Sequence, residues 1–203
     1  MSEGGPARDG ARRGVEVVVE PATFTLVDFD STRIAELVAE VAGWYGFGDG
    51  DVLRVEVEEA VPLAAARLST ADPPVLAVEG GAFEDPRRIR CLSSVAVQTV
   101  AARLLARAAD RRRPGFGDAP TEASLTVAQT DAWDVWALGR AARRGLEVNV
   151  PRWRYRFRNR HGFTDVADRA FDRLWAAEEL AWDDLVAVCA ETEAAAPAPA
   201  GAA

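Results

Sequence analysis

Two periods of apolar residues share this chain. DVLRVEVEEA at 51–60 alternates Val and Leu with charged residues, the period of two that lines one face of a half-buried strand. VEVVVE at 15–20 reads as a strand, TFTLV at 23–27 as a second beyond the break at Pro21, and PVLAVEGGAF at 74–83 as one running into a Gly-Gly kink. Between them Ile34, Leu37, Val38 and Val41 recur at spacings of three and four, which predicts an amphipathic helix over 32–44 capped by Ser31. The longest helix is predicted over 86–112, opened by Asp85-Pro86, with Ile89, Leu92, Ala96, Val100, Leu104 and Ala108 as its stripe. A second long helix over 122–144 carries Trp133 and Trp136 and ends at Gly145, and two short ones follow at 165–176 and 182–192. The fold expected is α+β, a small mixed sheet packed against two long helices with two short C-terminal helices. It fills one domain over 15–192, between disordered tails at 1–14 and 193–203 that are too poor in apolar surface to fix themselves.

One segment stands apart. Residues 152–161, RWRYRFRNRH, alternate arginine with a ring or amide and end on the chain's one histidine. A strict period of two predicts a strand, with Trp153, Tyr155 and Phe157 on one face and Arg152, Arg154, Arg156, Arg158 and Arg160 on the other. The preceding LEVNV has the opposite parity, so a bulge is expected near Pro151. Five like charges need neutralising. Residues 165–193 hold nine carboxylates against Arg169 and Arg173, so those acidic helices, or Glu56, Glu58 and Glu59, are the internal partners if the arginines serve only the fold.

Composition narrows the chemistry. The chain has 203 residues, 49% of them hydrophobic, a formal net charge of −8 and a pI near 4.8. That charge opposes attraction to nucleic acid or to an anionic membrane, and no apolar run is long enough to span a bilayer. All 24 cationic side chains are arginine, a bias of GC-rich coding that points to a bacterial source and weakens any functional reading of single arginines. Cys91 and Cys189 form no CxxC, and no signal peptide is visible, so a reducing cytoplasm is expected, with no disulfide, metal or cofactor.

Known catalytic patterns are incomplete. GWYGFGDGD at 43–51 has the glycines of a phosphate loop, but it follows a helix and precedes a strand, the reverse of the order that aims free amides at phosphate. A strand leading directly into a long helix resembles the layout of zincin peptidases, which implies a metal-binding HExxH on that helix. This helix has Val97-Gln98-Thr99-Val100-Ala101-Ala102 instead, so only a degenerate, metal-free relative fits the resemblance. Trp136, Trp175 and Trp182 are expected in the core. His161 is either a turn residue bonded to a backbone carbonyl, with Thr164 or Asp165 capping the next helix, or a base or anion ligand beside Arg158 and Arg160.

The function expected is therefore binding of a protein partner or a small anion through Arg154, Arg156, Arg158, Arg160 and His161. An enzyme of unrecognised class using His161 and its arginines stands second. A single-stranded nucleic-acid binder stands third, because rings and cations on opposite faces of a strand cannot grip one nucleotide together.

Overall fold

A computed structural model describes residues 14–69 and 71–196; of the tails expected at 1–14 and 193–203, residues 1–13 and 197–203 lie outside them, while Glu193 and Ala194 belong to the last helix. The fold is α+β, as the patterns predict. In chain order it comprises β1 (Glu16–Glu20), α1 (Ser31–Trp44), β2 (Val52–Glu58), β3 (Ala66–Ser69), β4 (Val75–Glu79), β5 (Glu84–Asp85), β6 (Arg88–Leu92), α2 (Ser94–Asp110), α3 (Val127–Arg143), α4 (Val150–His161), α5 (Asp165–Ala176) and α6 (Trp182–Ala194).

The main sheet has the order β1-β2-β4-β3, with β1, β2 and β4 parallel and β3 antiparallel to β4. Its register aligns Val19, Val55, Leu76 and Leu68 in one buried row, and alternation places Glu20, Glu56, Ala77 and Arg67 in the matching row of the opposite face. α1 and α2 cover the first face, so Ile34, Val38 and Val41 of α1 meet Val97, Val100 and Leu104 of α2 above the sheet. Among the described residues the opposite face carries no helix.

A second core lies beyond α3. Phe116, Trp133, Trp136, Phe157, Phe171, Trp182 and Leu185 form it, while Leu138 and Ala141 of the same α3 face the first core. α3 is thus buried on every side from Asp131 to Gly139. Such a helix is ordinarily apolar all round. This one carries Asp131 and Asp134 at its centre, and their charge has to be met by arginine.

Several expectations need correction. Residues 152–161 form no strand but belong to helix α4: Asn149 caps it by accepting from the Arg152 amide at 3.0 Å, Pro151 sits in its first turn, and Gly162 ends it at φ 93°. Trp153, Phe157 and His161, four apart, make its inner face, and Tyr155 points out with 61% exposure. The long helix begins at Ser94 rather than 86. The Asp85 side chain accepts from the Arg87 amide at 2.9 Å and folds Asp-Pro-Arg-Arg into the β5–β6 turn, while the Ser93 hydroxyl supplies the helix cap through the Ala96 amide. That hairpin separates β4 from α2, so the strand on which the zincin comparison rested does not lead directly into the long helix.

Three smaller differences remain. Residues 23–27 form no strand, and their neighbourhood contributes one bridge, Asp28 to Cys91. β3 arises from an Ala-rich run with no alternation, where pairing to β4 overrides weak local preference. α6 continues to Ala194, two residues past the expected end, and Trp133 joins Trp136 and Trp182 in the core.

Candidate functional site

α4 spends its arginines on neighbouring helices. On a helix the period-two run resolves into two pairs four residues apart. Arg154 and Arg158 reach α5, where Arg158 donates to both oxygens of Asp168 at 2.8 and 2.6 Å and Arg154 pairs with Asp172. The bonds from Arg158 hold the Asp168 carboxyl below the usual carboxylate range. Arg156 and Arg160 turn to α3, where Arg156 donates twice to Oδ1 of buried Asp131, at 2.9 and 2.7 Å, and Arg160 lies 3.9 Å from Oδ2. Arg152 has no carboxylate within reach among the described residues.

His161 is buried against Phe157, ring centroids 3.9 Å apart. Its Nε2 lies 3.1 Å from the Ala128 carbonyl and its Nδ1 2.8 Å from the Thr192 hydroxyl. A carbonyl only accepts, so Nε2 carries a proton; the Thr192 hydroxyl facing Nδ1 also lies 3.0 Å from the Val188 and Cys189 carbonyls, to which its one hydrogen can go, and both ring nitrogens are used. Burial lowers its pKa below the ordinary histidine value. The sequence-predicted residues are thus brought together around α4, in contact with α3, α5 and α6.

The ion pairs continue across the molecule. Asp134, fully buried, accepts from Arg103 at 2.7 Å and pairs with Arg107, which in turn donates to Glu122 at 3.1 Å. Asp110, at the end of α2, accepts from Trp133 Nε1 at 2.8 Å and from both terminal nitrogens of Arg140 at 2.8 and 2.6 Å. Arg140 is further held over Trp136, its Cζ 3.7 Å from the ring centroid.

Here the network reaches a surface. A cleft of about 560 Å³ opens between the ends of α1, α2 and α3 and the loop after α5, lined by Trp44, Tyr45, Arg113, Arg140, Arg143 and Arg144, and by the carboxylates Asp110, Glu178 and Glu179. Asp110 is saturated by Trp133, Arg140 and Arg113, so it fixes those arginines without closing the cleft. Nε of Arg140 is buried with no hydrogen-bond partner, and Arg143 is anchored only by neutral groups, the carbonyls of Trp175 and Ala177 at 2.6 Å each. Exposed Arg144 forms no ion pair among the described residues. Burial pushes the Tyr45 hydroxyl up to about 12, and it donates to the Ala137 carbonyl, which leaves it a neutral wall.

Sequence reasoning missed this cleft because its residues come from four separate segments; the one local sign is the Arg-rich end of α3, Arg140, Arg143 and Arg144. Among the described residues no group of three or more His, Cys, Asp or Glu is placed to hold a metal, and no helix is long and apolar enough to cross a membrane. Both cysteines are free, and burial raises the Cys189 thiol to about 11, away from nucleophilic use. No family model, curated protein or solved structure matches this chain.

Proposed function

We propose that this chain works by binding a small oxyanion, a carboxylate or phosphate with an apolar portion, in the cleft of Arg113, Arg140, Arg143 and Arg144. The carrying observation is that a concavity in an acidic protein is walled by arginines of which Arg143 and Arg144 meet no carboxylate among the described residues. Arg140 is pre-oriented by Asp110 and Trp136, so little side-chain entropy is lost when an anion arrives. Trp44 and Tyr45 supply the apolar wall. The free thiols Cys91 and Cys189 favour a reducing compartment, the cytoplasm.

Calorimetric titration with inorganic phosphate and with succinate tests the reading. Saturable binding by either is expected, weakened about tenfold in Arg144→Ala and unchanged in Arg87→Ala on the β5–β6 hairpin. Removing a lining negative charge in Glu178→Gln should tighten it by about two- to fivefold. Absence of saturable binding, or equal loss in Arg87→Ala, overturns it. A second reading keeps α4 as a partner surface, now through Tyr155 and Phe163, which are 61% and 63% exposed and meet edge to face at 5.9 Å.

A further inference from the structure

Sheets of parallel strands are nearly always covered on both faces, because their crossover helices lie on both. In this sheet the β1, β2 and β4 strands are parallel, yet α1 and α2 occupy one face alone. A concavity of about 590 Å³ crosses the other face, from Glu20 to Arg67.

That face is built acidic. Register sets Glu20 beside Glu56 and Glu58 beside Glu79 in adjacent strands, an arrangement that repels. Arg54 relieves the first pair, at 2.7 Å from Glu20 and 3.9 Å from Glu56. Glu58 and Glu79 have no arginine within ion-pair reach among the described residues, although Arg67 lines the same concavity. Oε2 of Glu79 is buried there and has no hydrogen-bond partner. Beside these charges lie Ala77 and Val61 in the wall, Val18 on the same face with 37% exposure, and Leu63 beyond Val61 with 63%.

We propose that this open sheet face docks a basic amphipathic helix of a partner protein, its arginines or lysines meeting Glu56, Glu58 and Glu79 and its apolar side resting on Val18, Ala77 and Val61. A helix is the layer that a parallel sheet ordinarily carries on its second face. Charge selects a cationic one. A second copy of this chain is disfavoured, because a twofold interface would set the same carboxylates against each other. The face is separate from the arginine cleft and has the opposite charge, so the two proposals stand or fall independently.

The test uses the full chain and a labelled helical peptide of about 18 residues, with arginine on one side and leucine and alanine on the other, followed by fluorescence anisotropy. The peptide is expected to bind, to weaken as salt rises, and to lose at least about tenfold in affinity to the Glu58→Gln/Glu79→Gln double variant. Glu36→Gln on α1 should leave the affinity unchanged. The glutamine variant removes repulsion rather than a packing contact, so its fold is retained, which circular dichroism checks. No binding overturns the proposal, as does equal binding by a scrambled peptide of the same composition or by the double variant. A dimer in sedimentation that dissociates in Val18→Arg overturns it too, by assigning the face to a second copy.

Discussion

Arg107 and Asp134 form an ion pair from which solvent is almost excluded, with 3% of the arginine side chain and none of the aspartate exposed. Two helices that would otherwise meet through apolar contacts are therefore registered by charge. The desolvation cost of such a pair rivals its attraction, so its net contribution to stability is small, while breaking it strands a buried charge.

Asp134→Asn should accordingly destabilise the protein by about 3–5 kcal/mol, because Arg103 loses its one counter-charge among the described residues and buried Arg107 keeps only Glu122. Glu36→Ala, which breaks the exposed pair with Arg33, should cost no more than about 1 kcal/mol. Urea unfolding measures both; equal costs would show that the buried network does not register α2 and α3.

His161 makes stability depend on pH in one direction. Its folded pKa is depressed, chiefly by burial, so the unfolded chain takes up the proton first. The stabilisation is complete above the unfolded value of about 6.5 and is lost as pH falls below it. Being the one histidine, its ring signal titrates alone in a proton spectrum, and a midpoint below about 6.5 is expected. A midpoint at or above that value contradicts the neutral, doubly bonded ring.

Gly139 marks a close approach of α3 and α5. A Cβ placed there would lie 2.2 Å from the Trp175 carbonyl oxygen, a backbone atom that cannot swing aside. Gly139→Ala should therefore destabilise by roughly 1–3 kcal/mol, although alanine is the better helix former. A thermal midpoint equal to that of the parent chain would contradict the close packing.

How much of this was legible beforehand differs between the layers. Helix α1 and strands β2 and β4 follow from single periods of apolar residues, each with one buried face. Segment 152–161 misled because charge, not apolarity, set its visible period. Arginines were required on two sides of one helix, toward Asp131 and toward Asp168 and Asp172, and two interleaved helical pairs look like strand alternation. The quieter signals were the better ones: Asn149 and Pro151 at the start, Gly162 at the end, and Trp153, Phe157 and His161 four apart. Internal pairing with acidic helices was foreseeable for Arg154 and Arg158. That Asp131 would serve Arg156 was not, since burial of a carboxylate on α3 depends on the second core.

The most direct test of the anion cleft is a nitrogen–proton spectrum of the arginine Nε groups during titration with inorganic phosphate. Nε of Arg140, buried and without a partner, and that of Arg144 should shift together and saturate at one shared dissociation constant, while Arg54 and Arg173, committed to Glu20 and Glu191, stay in place. Uniform, unsaturated drift of every arginine signal, or movement confined to α4, would contradict the account.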